Sequence, residues 1–162
     1  MDLQNKLISL LTENARYTIK QLSAMTGEDE KTVEKAVKEM EEKGIIVKYA
    51  AIIDGEKINE NIVQALIEVK VTPQKLRGFD AFAEQITSFE EVKSLYLMSG
   101  GFDIAIFIEA KTLAGISRFV SEKLSTVEGV LSTATHFILK KYKIEGQSTV
   151  KNDGKDRQII HA

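Results

Sequence analysis

Residues 18–44 read TIKQLSAMTGEDEKTVEKAVKEMEEKG, and their punctuation decides the fold of the first third of the chain. Thr18, with Gln21 three positions on, is a capping box, in which two side chains satisfy two of the free N–H groups at a helix start. The short helix it opens carries Ile19, Leu22 and Met25 as its apolar residues and stops at Gly27, a residue that tolerates the positive φ of a sharp turn. Asp29 then caps a second helix running to about Lys43, with Val33, Ala36, Val37 and Met40 on its inner face, until Gly44 ends it. Two helices joined by so short a turn form a helix-turn-helix. Upstream, Leu3, Leu7, Ile8, Leu10 and Leu11 recur at helical spacing, and Asn14 closes that helix. Downstream, residues 45–53 (IIVKYAAII) are rich in β-formers and lead into the turn dipeptide Asp54-Gly55. The expectation over residues 1–53 is a winged helix-turn-helix: three helices and a hairpin. Residues 54–61 (DGEKINEN) read as a polar linker.

From Ile62 the period changes. Residues 62–72 alternate with Ala65, Ile67, Val69 and Val71 on one face, and Pro73, the only proline, ends the strand. Residues 79–86 form a short helix, residues 92–98 a strand, and Ser99-Gly100-Gly101-Phe102-Asp103 a tight glycine turn. The next strand, residues 104–109, is continuously apolar at its start, the mark of burial on both faces. Thr112 caps a longer helix with Leu113, Ile116, Phe119, Val120, Leu124 and Val127 inward, and Val130 to about Ile144 is a long final strand. The order predicts a ferredoxin-like βαββαβ sheet (ACT-like) over residues 62–145, so the chain is α+β. Two helices cover one face. Apolar residues of the other face, along 62–72 and 130–144, are expected to be buried against a partner subunit. Residues 146–162 read either as a frayed tail or, through Ile159-Ile160, as a short edge strand.

Composition narrows the chemistry. Hydrophobic residues make up 43% of the 162, enough for a packed core, and no cysteine is present, which excludes disulfides, thiolate metal sites and a thiol nucleophile. No apolar run approaches spanning length and the N-terminal stretch lacks a signal-peptide core, so a cytoplasmic, non-membrane protein is expected. HExxH, Gly-x-x-x-x-Gly-Lys and Gly-x-Ser-x-Gly are all missing, and the two histidines, His136 and His161, are far apart. Glu41-Glu42 and Glu90-Glu91 are adjacent and diverge rather than pair. An enzyme, a metal centre and a bound cofactor are therefore not expected.

Charge cuts the other way. The net charge is −2, and residues 1–60 hold nine Lys/Arg against twelve Asp/Glu, unfavourable for a phosphate-binding surface. The argument for double-stranded DNA rests on local placement. The second helix of such a motif enters the major groove. Here Lys31, Lys35 and Lys38 fall at i, i+4 and i+7 on one face, beside Thr32, with Lys48 in the wing. The competing reading is a solvated face on which those lysines pair with Glu34, Glu39, Glu41 and Glu42. In the second half, Ser99, Gly100, Gly101, Phe102 and Asp103 suit a zwitterion: bare backbone N–H groups for a carboxylate, and the Asp103 carboxylate for an ammonium. An ordinary hairpin turn is the alternative.

The stretch Gln21–Gly27, then Asp29, Thr32-Val33 and the 40–46 run Met-Glu-Glu-Lys-Gly-Ile-Ile, resembles the Lrp/AsnC family of leucine-responsive and asparagine-operon regulators. Ser99–Asp103 is similar to that family's Gly-x-x-Asp sensor loop, and Leu139-Lys-Lys-Tyr-Lys143 to its closing strand, so the resemblance spans about residues 2–144. It implies a transcriptional regulator, a dimer built by pairing C-terminal sheets, an octamer of four dimers, and an amino acid or similar effector bound near the loop between subunits. Two departures stand out: the groove helix has no arginine, and Glu28 occupies a turn position that is apolar in relatives. Weak DNA affinity per subunit, multiplied by oligomerisation, is the expectation. The alternative is a metabolite-binding oligomer of the same family with weak or lost DNA binding.

Overall fold

The computed structural model describes residues 2–58, 62–72 and 78–150. Pro73, Ile159, Ile160 and His161 lie outside the described residues. The chain forms two compact units that divide between Ile53 and Asp54.

The first unit holds α1 (Leu3–Glu13), α2 (Ile19–Thr26) and α3 (Glu30–Glu42). The caps form as the sequence demands. Thr18 Oγ1 accepts from the Gln21 N–H at 3.3 Å and the Gln21 side chain accepts from the Thr18 N–H at 2.9 Å, while Gly27 turns the chain at φ 79°. One residue or two from each helix, Leu7, Leu22, Val33 and Met40, make a small core, with Ile8, Tyr17, Ile19, Val37 and Ile46 packed around it. Met25, one of the apolar residues of α2, is exposed. Thr26, one turn after Leu22, takes the inward place, its hydroxyl donating to the Leu22 carbonyl at 2.8 Å.

The wing departs from expectation. Among the described residues 45–53 no strand forms. The Ile45 and Ile46 N–H groups both donate to the Met40 carbonyl, at 2.9 and 3.1 Å. Val47, Tyr49, Ile52 and Ile53 are left exposed. The reason lies in the turn: Asp54-Gly55 opens a single 3-10 turn at Gly55–Lys57, closed by the Lys57–Asp54 ion pair at 2.9 Å, instead of reversing the chain. Among the described residues, the run of β-formers therefore has no returning strand to pair with.

The second unit is a four-stranded antiparallel sheet in the order β2-β3-β1-β4. Its elements are β1 (Val63–Val71), α4 (Asp80–Thr87), β2 (Val92–Leu97), β3 (Ile104–Ala110), α5 (Leu113–Arg118) and β4 (Val130–Phe137). α5 is capped by Thr112 and continues through a π turn at Phe119–Lys123 and a 3-10 turn at Leu124–Thr126. Ala65, Ile67, Val69 and Val71 of β1 and Ile104, Ile106 and Ile108 of β3 meet Phe82 and Ile86 of α4 and Ile116, Phe119 and Leu124 of the α5 element. β3 meets the expectation of burial on both faces only in part: Ala105 is buried on the open face, but Phe107 beside it is half-buried. Leu113, expected inward, is exposed at the start of its helix.

Two further expectations change. β4 ends at Phe137 because its partner runs out: the Ile138 N–H makes a last bond to the Gln64 carbonyl at 2.9 Å, one residue inside the start of β1. The chain then folds back as a hairpin of β5 (Lys143–Ile144) and β6 (Gln147–Ser148). The open face of the sheet is also mixed, not apolar. On β1 it carries Gln64, Leu66, Glu68 and Lys70; Glu68 faces His136 at 3.3 Å, Gln64 bonds Glu109, and the Tyr96 and Phe107 rings meet edge to face with centroids 6.0 Å apart.

The small core of the first unit makes it sensitive to single truncations. Leu22→Ala should destabilise that unit by about 3 kcal/mol, the usual cost of a Leu-sized cavity. Urea titration followed by helical circular dichroism checks this, with an early transition for the variant.

Candidate DNA interface and effector turn

α3 is fixed at its start by Asp29. One carboxylate oxygen accepts from the Thr32 N–H at 3.0 Å and the other from the Thr32 hydroxyl at 2.5 Å. The Thr32 side-chain hydrogen bond, followed by its backbone N–H, holds the Asp29 carboxyl below the usual carboxylate range. Asp29 therefore stays charged at the positive end of the helix dipole, where charge of that sign is favourable. Thr32, expected to meet DNA, already spends its hydroxyl proton on the cap; it keeps acceptor capacity and a methyl group.

Lys31, Lys35 and Lys38 are all exposed on α3, as their spacing implies. Lys35 pairs with Glu39 at 3.9 Å and Lys38 with Glu42 at 3.8 Å, while Glu39 also takes Lys43 at 3.3 Å. The competing reading of a solvated, self-paired face thus describes two of the three lysines. Among the described residues, Lys31 and Lys48 have no ion-pair partner. The residue that sequence reasoning undervalued is Tyr49. Its Oη–H donates to Glu41 at 2.9 Å, tying the segment that carries Lys48 to the end of α3. Burial first, and the Glu41 carboxylate second, push the Tyr49 hydroxyl up.

The 99–103 turn is closed by the Met98 N–H donating to the Asp103 carbonyl at 2.7 Å. Ser99, Gly100 and Gly101 are exposed, and Phe102 and Asp103 half-buried. Gly100 sits at φ 152°, which favours glycine. Gly101 does not have a positive φ, and a Cβ added at either glycine would meet nothing within 4 Å. Nothing among the described residues, therefore, requires position 101 to be bare.

Asp103 has a job that the sequence did not reveal. Its Oδ2 accepts from the Val71 N–H at 2.9 Å, where the β1–β4 register shifts between Lys70 and Val71, and its own N–H donates to the Val69 carbonyl at 3.0 Å. The carboxylate thus satisfies a backbone donor near the irregularity, and among the described residues its Oδ1 has no hydrogen-bond partner. A concavity of about 290 Å³ lies on the open sheet face and is lined by Gln64, Tyr96, Phe107, Glu109 and Lys141 among others. None of residues 99–103 lines it. The described residues hold no cluster of metal-ligating side chains and no helix long and apolar enough to cross a membrane.

A capped helix-turn-helix followed by a βαββαβ sheet is the architecture of a nucleic-acid-binding class of unit joined to a small α+β domain. Residues 2–47 match the winged helix-turn-helix DNA-binding family and residues 64–148 the Lrp/AsnC ligand binding domain. The chain belongs to the Lrp/AsnC family of transcriptional regulators. It is 39% identical over 158 residues to the uncharacterised HTH-type transcriptional regulator YugG of Bacillus subtilis, covering 97% of this chain and 95% of that one. It is 33% identical over 144 residues to the regulator LrpA of Pyrococcus abyssi, covering 88% and 99%. Among solved structures it resembles a Neisseria meningitidis transcriptional regulator in complex with L-methionine, with TM-score 0.68, 28% identity and 92% and 94% coverage. The fold also matches the Mycobacterium tuberculosis leucine response regulatory protein, with TM-score 0.75, 21% identity and 91% and 97% coverage.

The double duty of Asp103 separates its two substitutions. Asp103→Ala leaves the Val71 N–H without its acceptor and should cost about 1–3 kcal/mol. Asp103→Asn keeps an acceptor oxygen and should fold with nearly wild-type stability. Chemical denaturation of both variants, side by side, provides the comparison.

Proposed function

We propose that this chain is a cytoplasmic, sequence-specific regulator that binds double-stranded DNA as a homo-oligomer and responds to an amino acid or similar zwitterion held at residues 99–103. The observation that carries the effector reading is Gly101: it is bare where neither the backbone nor its neighbours demand it, which suits the close approach of another molecule. The exposed N–H groups of the turn take the ligand carboxylate and the Asp103 carboxylate its ammonium; Ser99 adds a hydroxyl and Phe102 a wall. The L-methionine complex of the Neisseria relative supports an amino acid as the class. No other cofactor is invoked. On DNA, Lys31 and Lys48 contact directly, while Lys35 and Lys38 exchange a glutamate for a phosphate. That exchange is cheap, since exposed i, i+4 pairs are worth only about 0.3–0.5 kcal/mol. Exposed Ile52, Ile53, Leu97 and Leu131 favour assembly into dimers and, by family resemblance, octamers.

The ion pairs on α3 favour a second reading, a metabolite-binding oligomer with weak or lost DNA binding. Gel shifts with the protein's own upstream DNA decide between the two: retardation that depends on sequence supports the first, and none at any protein concentration the second.

The effector site is tested by calorimetric titration of an amino-acid panel. Asp103→Asn should weaken the binding ligand by about tenfold or more, the loss of one charge-assisted hydrogen bond. Gly101→Val should abolish the heat while changing stability by less than about 0.5 kcal/mol, as for an open surface site. Wild-type heats in both variants would remove the turn from the ligand site.

A further inference from the structure

Residues 1–53 hold eight Lys/Arg against nine Asp/Glu, and the longest acid-free basic run of the chain lies in the other unit. From Gly129 to Ile144 there is no Asp or Glu, and the run ends in Leu139-Lys140-Lys141-Tyr142-Lys143. The structure sets this motif on a small two-stranded ribbon. β5 and β6 pair across a two-residue turn, Glu145 at φ 44° and Gly146 at φ 82°, the conformation that matches the twist of a hairpin. The Thr149 N–H donates to the Tyr142 carbonyl at 3.1 Å, and the Thr149 hydroxyl bonds the Lys141 carbonyl, which locks the base of the ribbon. Lys140 and Lys143 are exposed and, among the described residues, have no carboxylate partner. The Lys140 ammonium lies 5.5 Å from the centre of the exposed Tyr142 ring. Lys141 differs: it lines the concavity that also holds Glu109 and Glu145.

We propose that Lys140, Tyr142 and Lys143 form a second, sequence-independent contact with the DNA phosphate backbone. The proposal rests on the DNA-binding reading above and extends it to a surface outside the helix-turn-helix. The chemistry fits a phosphodiester: two uncompensated ammonium groups, a phenol hydroxyl that can bond a phosphate oxygen, and a ribbon fixed by its own hydrogen bonds. It also adds charge that needs no exchange of partners, unlike Lys35 and Lys38, which must first release Glu39 and Glu42.

The test is the salt dependence of binding to a short duplex of arbitrary sequence, read by fluorescence anisotropy with the full chain. Each phosphate neutralised contributes about 0.9 to the slope of log affinity against log salt. Losing two contacts in Lys140→Gln/Lys143→Gln should make the slope shallower by about 1.8, so that between about 50 and 200 mM salt the wild type loses about 12-fold more affinity than the variant. Lys140→Arg/Lys143→Arg should restore the wild-type slope. An unchanged slope in the glutamine variant overturns the proposal and leaves the helix-turn-helix reading intact, whereas absence of binding by the wild type sinks both. Light scattering on the same samples should give the same subunit number. A changed number that accounts for the lost affinity assigns the ribbon to a contact between copies and also overturns the proposal.

Discussion

Strand β1 is the member on which the C-terminal unit is built. It is paired on both edges, with β3 and with β4, and it alternates so that Ala65, Ile67, Val69 and Val71 are buried beneath the two helical elements. Burying an Ile- or Val-sized side chain stabilises by about 1.5–3 kcal/mol, so this one strand anchors sheet order and helix position together. Slipping it by one residue would turn Glu68 and Lys70 into the core, which fixes the register. The same strand reaches the 99–103 turn: near the shift after Lys70, the Val71 N–H finds its acceptor in Asp103. The candidate sensing residue is thereby joined to the most constrained element of the unit.

Much of this was legible because it depends on local chemistry. The capping box at Thr18 and Gln21, the Asp29 and Thr112 caps, Gly27 and the alternation of β1 each declare their role within a few residues. What sequence reading missed depends on distance. The 45–53 run has every β-forming residue a wing needs, yet pairing requires a returning strand, and Asp54-Gly55 makes a 3-10 turn instead. The end of β4 is set by where β1 starts, some seventy residues earlier in the chain, and no window around Phe137 contains that fact. Asp103 was legible as a polar turn residue, but its bond to Val71 arises only when two strands are brought together.

The electrostatics of α3 have a consistent logic. Its glutamates stabilise the isolated helix through i, i+4 pairs, and Asp29 and Glu30 complement the dipole at its start. The features that make a well-behaved helix also neutralise the lysines that face outward. Tyr49 belongs to the same network, since its bond to Glu41 uses an acid that would otherwise face the solvent beside those lysines. A surface so balanced discriminates by exchange of partners more than by raw attraction.

The contrast between the two interiors has a thermal consequence. Among the described residues, four buried apolar side chains hold the three N-terminal helices, whereas thirteen form the interior of the sheet and its helices. Opening free energies within a protein follow such differences, and the unit with the smaller interior frays at the lower temperature. Heating would then unfold the helix-turn-helix unit while the ligand-binding domain stayed folded, at a temperature governed by the packing around Leu7, Leu22, Val33 and Met40.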